Sequence, residues 1–465
     1  MRMPSDPRFP HIATAFDTAR MQFELQRAWF ADGPAPWTIE SLEAQETVYR
    51  PGDCCIVLWR VGLRHAASGA LRQQRAFLHA CKVGEGPQAY ARARAMKLVP
   101  VDDFPPVVYL PALEALVWTF PNDPKLPGLP AMFDLGQPCE TLFDGLDLPE
   151  LVNGHVLRDI AADVMHYQPE DSCMVRYRLR LEDQDTGAEG TLVVYGKIDA
   201  EGNVEKMHRI VAQLARQSRG LRTARALGYG TQRNVRWQSH VAGEPVSLSR
   251  IDADAVEVFH GIGRCLAAFH RSEVVCDLVF DPAAALGRLS RIIPIIAKTR
   301  PEFTERMCAI ERRLGRVAAD ADFADTPLTP VHRDLKPGTF LWDSTVAALI
   351  DMDNVQLGDP LSDLGSFIVT LSTQAMQMGW DESATARMIG HIVEAYASEV
   401  SWPVRCRRLD WYMAASFVYE STWHSVRQWD QKKQDDIPVY LALAERHAFA
   451  ARSRAPVGAV NHYRF

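Results

Sequence analysis

The 465-residue chain contains no apolar run of 18 residues, and its opening stretch, Met1-Arg-Met-Pro-Ser-Asp-Pro-Arg8, lacks a hydrophobic signal core. Neither a membrane-spanning helix nor a secretory leader is expected, and the sequence reads as cytoplasmic. No Cys-x-x-Cys pair occurs among the nine cysteines, and Cys54-Cys55 lie adjacent in a predicted strand, where neighbours face opposite ways. Without zinc spacing, buried reduced thiols are the expectation. A basic excess is missing as well: net charge −7 and a pI near 6.1 argue against a general nucleic-acid binder. The arginines between Arg216 and Arg225 read as a solvated helix face. What the chain does have is 47% hydrophobic residues, enough to bury two or more cores.

Its most informative stretch is Val331-His-Arg-Asp-Leu-Lys-Pro-Gly-Thr-Phe340, followed by Ile350-Asp-Met-Asp353, which puts Asp351 seventeen residues after Asp334. Phosphoryl transfer from a nucleotide needs one carboxylate beside the acceptor hydroxyl and another holding Mg²⁺ on the phosphates. Asp334 and Asp351 fit these roles. Between them Val346 to Ile350 predicts a short strand that ends at Asp351. His332 would brace the loop from behind.

These segments resemble the protein kinase-like superfamily, and within it the aminoglycoside phosphotransferase and choline kinase branch. Pro337-Gly338 after the candidate catalytic Asp, and Gly358-Asp-Pro-Leu-Ser-Asp-Leu364 further on, look like that branch's HxDxxPGN and GDPxxDLA signatures. Arg333 and Lys336 are similar to protein kinases instead. The resemblance implies an α+β, bilobal protein kinase-like fold with a small antiparallel-sheet N-lobe over 151–243 and a mainly helical C-lobe over 244–465. It also implies an ATP- and Mg²⁺-dependent kinase acting on a hydroxyl of a small metabolite such as a sugar, an amino alcohol or an aminoglycoside-like compound. Asp334, Lys336 and His332 become the catalytic set, with Lys336 reaching the moving phosphoryl group. Asp351 becomes the metal ligand, with Asp353 or Thr339 completing its shell. Asp363 is expected to bond the catalytic-loop backbone, and His270 to close a helix.

Two departures favour other readings. Thr339 stands where the superfamily carries Asn, which suits a catalytically inactive pseudokinase scaffold. Asp351-Met-Asp353 replaces Asp-Phe-Gly, so no mobile activation segment is expected, and a protein kinase, the reading that Arg333 and Lys336 suggest, is the least favoured.

Upstream, Val156 to His166 and Cys173 to Leu181 predict two strands joined by Gln168-Pro-Glu-Asp-Ser172, a hairpin that would cover the phosphates through Ser172 or backbone N–H groups. Thr191 to Ile198 is an apolar β run interrupted by Lys197. The resemblance gives Lys197 to the α/β-phosphates and Glu205 to Lys197; an edge-strand lysine with its head in water is the alternative. Gln238 to Val241 would read the adenine edge through the backbone. Residues 409–447 would build the acceptor pocket, with Tyr412, Phe417, Tyr419, Glu420, Trp423, His424, Trp429 and Asp430 as its candidates. Trp411, Ala415, Val418 and Thr422 equally fit one core face of a helix.

Residues 1–150 exceed what a kinase fold needs. Tyr49-Arg-Pro-Gly-Asp-Cys-Cys-Ile-Val-Leu-Trp-Arg60 lines up with Tyr167-Gln-Pro-Glu-Asp-Ser-Cys-Met-Val-Arg-Tyr-Arg178, and, after a small gap, Lys82 takes the place of Lys197. This front module is read as a degenerate N-lobe duplication that serves as a cap, a specificity module or a homodimer surface. The Pro-rich stretch Phe120 to Pro130 is a stiff linker or a packed loop. Nucleotide and acceptor are the expected partners; nucleic acid and membrane are not.

Overall fold

The computed structural model describes residues 6–30, 35–217, 220–320, 327–404 and 407–452. Met1 to Ser5, Arg219 and Cys406, which figure in the sequence expectations, lie outside them. The described chain divides into two compact units. One holds residues 1–205, 227–239 and 427–429; the other holds 206–226, 240–426 and 430–465.

After one helical turn at Ile12–Ala15, the first unit continues with α1 (Thr18–Trp29), whose N-cap Asp17 accepts from the Arg20 N–H. It carries two five-stranded sheets. Strands β1 (Trp37–Arg50), β2 (Cys54–His65), β3 (Leu71–Ala80), β4 (Val107–Leu110) and β5 (Ala115–Thr119) run in the order β1-β2-β3-β5-β4, with α2 (Gly86–Arg94) following β3. Strands β6 (Val156–Gln168), β7 (Ser172–Glu182), β8 (Glu189–Asp199), β9 (Ala226–Gly230) and β10 (Val235–Ser239) repeat that order as β6-β7-β8-β10-β9, with α3 (Val204–Gln217) following β8.

Register makes the correspondence residue by residue. Tyr49 pairs with Cys55, and Tyr167 with Cys173 118 positions later; Ile56 then pairs with His79, and Met174 with Lys197. Lys82 therefore does not occupy the place of Lys197: it follows the end of β3, and His79 stands there instead. Aligning lysine on lysine required a gap, whereas pairing requires none, because one residue of slip would turn every side chain to the other face.

A second correspondence lies ahead of each hairpin. Asp6 opens Asp-Pro-Arg-Phe-Pro and Asp123 opens Asp-Pro-Lys-Leu-Pro. Asp6 accepts from the Tyr49 hydroxyl at 2.8 Å, from Gly52 N–H at 2.6 Å and from Arg8 N–H at 2.9 Å. Asp123 accepts from the Tyr167 hydroxyl at 2.9 Å, Glu170 N–H at 2.8 Å and Lys125 N–H at 2.8 Å. Each carboxylate thus clamps one hairpin turn whose third residue, Gly52 or Glu170, is left-handed, with φ of 71° and 61°. Asp123→Ala removes an acceptor from these three donors and from Leu126 N–H, four in all, and should cost about 3 kcal/mol of stability. Thermal denaturation measures this, and a melting temperature equal to the parent's would contradict the clamp.

The two sheets are not separate domains split near residue 150. Val48, Ile56, Phe77 and Trp118 of the first share one core with Tyr167, Val175, Tyr177 and Trp237 of the second. Leu126 and Leu129 of the Pro-rich connector are buried in it, so that stretch is a packed loop. The other face of the first sheet covers a core with Met21 and Leu25 of α1 and with Trp429.

The second unit is largely helical. Met207, Ile210, Val211 and Leu214 on one stripe of α3 join its core, as 3.6-residue spacing dictates. There follow α4 (Val256–His270), α5 (Pro282–Ile296), α6 (Thr304–Ala318), α7 (Pro360–Gln377), α8 (Glu382–Ala397), α9 (Arg407–Ser416), a π-helical segment Phe417–Trp423 and α10 (Ile437–Ala450). Short strands β11 (Glu244–Pro245), β12 (Val279–Phe280), β13 (Thr329–Val331), β14 (Phe340–Trp342), β15 (Ala347–Leu349) and β16 (Gln356–Gly358) form two sheets, β11-β14-β15 and β12-β16-β13. No described helix is long and apolar enough to cross a membrane. The eight described cysteines form no disulfide.

Candidate active site

The stretch from His332 to Asp353 is built around a β-hairpin. After β13 the chain turns through His332, Arg333 and Asp334, then through a single 3₁₀ turn, Pro337–Thr339, with proline at its start, where a missing N–H costs nothing. β14 and β15 pair antiparallel, Phe340 opposite Leu349, and return the chain to Asp351. Two hydrogen bonds fasten the loop holding Asp334 to the strand end holding Asp351. His332 Nε2 donates to Ile350 O at 2.9 Å, and Ile350 N–H donates to Thr339 O at 3.0 Å. His332 is fully buried. Arg333 and Asp351 both adopt left-handed backbone, φ 72° and 67°. Such strain persists only where surroundings over-determine it, and it concentrates at functional sites.

What over-determines Arg333 is Asp363 on α7, buried to 1% exposure. Its carboxylate accepts from the N–H groups of both His332 and Arg333, the latter at 2.9 Å. It also meets His270 Nε2 at 3.3 Å, and His270 Nδ1 lies 2.7 Å from the Tyr396 hydroxyl. Burial alone would raise the Asp363 pKa, but the His270 hydrogen bond and charge, with the His332 contribution, outweigh it and hold the carboxyl below its ordinary range. His270 is thus part of the loop's support and not merely a helix end. No local pattern marked it, because its partner lies 93 residues away.

Asp334 and Lys336 are solvent-accessible, with Lys336 Nζ 3.3 Å from Asp334 Oδ2. An ion pair so exposed contributes little to stability and leaves both groups available to a substrate. Asp351 and Asp353 are half-buried on either side of Met352, and as carboxylates they are the hard oxygen donors Mg²⁺ prefers. Thr339 also has a structural role. Its side chain is buried, its hydroxyl donates to Lys336 O at 2.7 Å and accepts from Lys336 N–H at 3.4 Å, so it closes the turn.

In the first unit, Lys197 is 8% exposed on β8, flanked by β7 and β10. It is therefore not an edge-strand lysine. Glu205 sits exposed in the first turn of α3 and makes no ion pair among the described residues, so the expected Lys197–Glu205 pair is not formed. Ser172 is buried, its hydroxyl donating to Asp171 at 3.1 Å. Gln238 is half-buried on β10 opposite Tyr195. Val241, in the second unit, packs with Ala224, Leu341 and Ala348. The hairpin carrying Ser172 is held by Glu170, which pairs with Lys125 at 2.9 Å and with His79.

The acceptor candidates separate into two groups. Phe417 and Trp423 are core, together with Trp411, Ala415 and Val418, and Trp429 packs edge-on against Tyr49 at 5.3 Å in the first unit. Asp430 caps a short helix by accepting from Lys433 N–H. Tyr412, Tyr419 and Glu420 do share a pocket, with Arg288 and Arg333. His424 lies 3.6 Å from Glu420.

A model of the phosphotransferase enzyme family, APH, matches residues 179–407. That segment is phosphotransferase-like. It contains Lys197 and every residue of the loop from His332 to Asp353. No curated protein matches the chain. Among solved structures, the macrolide 2'-phosphotransferase MphH from Brachybacterium faecium is similar at 16% identity, over 67% of this chain and 99% of that one, with a TM-score of 0.40. A choline/ethanolamine kinase family protein from Mesorhizobium loti is 16% identical over 59% of this chain and 89% of its own, with a TM-score of 0.41. The ethanolamine kinase from Plasmodium vivax is 10% identical over 65% and 84%, at 0.40.

Proposed function

We propose that the chain transfers the γ-phosphoryl group of ATP to a hydroxyl of a small molecule. The observation that carries this reading is the buried Asp363–His270–His332 support, which holds the loop bearing Asp334 against the strand end bearing Asp351. A structural loop has no need of a strained Arg333 backbone over-determined in this way.

Asp334 accepts a hydrogen bond from the acceptor hydroxyl, aligns it and takes its proton as the new P–O bond forms and the bond from the γ-phosphorus to the β-phosphate oxygen breaks, with ADP as the leaving group. Lys336, already beside Asp334, offsets charge developing on the transferred group. Lys197 holds the α/β-phosphates. Asp351 and Asp353 are the residues that would hold Mg²⁺, which supplies charge neutralisation on the phosphate oxygens when bound. The front sheet, with His79 where Lys197 stands in the second, is a duplicated N-lobe sheet that no longer takes nucleotide. It keeps the hairpin at Glu170 in place.

Incubation with γ-labelled ATP tests the reading. Label should pass to a hydroxyl compound in a metabolite mixture and not to a mixture of proteins. Labelled protein with unlabelled metabolites would overturn it in favour of a protein kinase.

A further inference from the structure

Beside the catalytic loop lies a pocket of about 340 Å³, counting its open mouth, lined by Phe280, Arg288, Arg333, Ser362, Tyr419 and Glu420, among others. Its chemistry is unusual. The Arg333 guanidinium stacks 3.2 Å from the Phe280 ring centroid, and that of Arg288 stacks 3.4 Å from the Tyr419 centroid. Stacking on aromatic faces stabilises a guanidinium yet leaves its in-plane donors unused. Neither arginine makes an ion pair among the described residues, and the buried Nε of Arg333 has no hydrogen-bond partner. The buried Ser362 hydroxyl, in the same pocket, has none either. Two cations and a hydroxyl therefore converge with their donors unspent, and a buried donor left unpaired is costly.

We propose that this pocket binds an oxyanion carried by the acceptor, a carboxylate or a phosphate, so that the substrate of the proposed kinase is a hydroxyl compound with an acidic group. This rests on the phosphotransferase reading and narrows it to a substrate class. Planar, bidentate donors of arginine match carboxylate and phosphate oxygens better than any other side chain does. Arg333 directly precedes Asp334, and the Asp334 charge acts on Glu420 of the pocket, so an anion held there would belong to a molecule within reach of the carboxylate that receives the hydroxyl. Tyr419 and Glu420 lie on the π-helical segment Phe417–Trp423, in which the Thr422 hydroxyl bonds back to Phe417 O. Such segments are rare and recur at functional sites.

The electrostatics agree. Burial, and after it the neighbouring Arg288 charge, lower the Arg333 pKa to about 10, against the opposite pull of Asp363 and Glu420. Glu420 does not neutralise the two arginines fully. Burial raises its pKa to about 7, with Arg288 and Arg333 pulling it down and Asp334 and Asp363 pushing it up, so near neutral pH it is only partly ionised. His424 lies 3.6 Å from it, and Tyr412 and Tyr419 line the same pocket.

The test is calorimetric titration of the full chain, without nucleotide, by D-glycerate, glycerol 3-phosphate, glycerol and ethanolamine. At least one anionic compound should bind roughly tenfold or more tightly than glycerol, the scale of one charge-assisted hydrogen bond. Which of the two binds better tells carboxylate from phosphate. Arg288→Gln should erase that preference, and Glu420→Gln, which removes a competing carboxylate, should strengthen it. Opposite signs in two variants exclude general unfolding as the cause. Glycerol or ethanolamine binding as well as the anions, or no response to any of the four, would overturn the proposal. Because no turnover is measured, failure of the kinase reading shows separately, as absence of phosphoryl transfer.

Discussion

Asp334→Ala should lower turnover by about 10²–10⁴-fold, the usual contribution of a positioned general base, while leaving ATP affinity nearly unchanged. The reason is location. Asp334 is accessible, its side-chain partner among the described residues is the equally accessible Lys336, and neither belongs to the buried support of the loop. Removing its carboxylate therefore deletes an interaction made in the transition state without disturbing fold or nucleotide. Steady-state kinetics with ADP release as readout, beside equilibrium ATP binding, separates the two quantities. Lost affinity with unchanged turnover would remove Asp334 from the acceptor side.

Asp363→Ala should have the second large effect, and on stability first. It strips an acceptor from two backbone N–H groups and leaves His270 buried without its carboxylate. Breaking a buried pair by deleting one partner costs about 3–5 kcal/mol. The melting temperature should fall by roughly 10 °C, and turnover should fall with it because Arg333 loses the bond that holds its left-handed backbone. The parent protein should show the same dependence in its acid limb. Because the folded carboxyl has a pKa below its unfolded value, its contribution is complete above the ordinary aspartate range and is lost as pH falls toward the folded pKa. In Asp363→Ala this part of the acid sensitivity should vanish. An unchanged acid profile would mean that Asp363 is not the group responsible.

Much of this site was legible in sequence because its residues sit in two short, ordered segments. The short strand that leads to Asp351 follows from local spacing, and the role of Asp363 as a backbone acceptor is expected from its place in the Gly358–Leu364 segment. Long-range partners do not follow from either. His270 and Tyr396 reach the loop only through tertiary packing, and neither has a neighbour that announces it. Thr339 has a second use that residue type did not show: its hydroxyl closes the turn onto Lys336 O. Trp429 had the composition of an acceptor wall and proved to be core beside Tyr49. The front module shows the reverse lesson. Similar letters brought Lys82 against Lys197, whereas strand register sets His79 there, and the clamping role of Asp6 and Asp123 depends on hydroxyl partners more than 40 residues away. Arg288, from a helix some 45 residues before the loop, carried no sequence signal for its pocket.

The most direct test is calorimetric titration with ATP, with and without Mg²⁺, of the parent chain and of Asp351→Ala. Metal-assisted phosphoryl transfer requires that Mg²⁺ strengthen nucleotide binding and that the loss of Asp351 remove most of this gain. ATP binding equal in the presence and absence of Mg²⁺, or no binding under either condition, would contradict the account and leave a kinase-like scaffold without phosphotransfer.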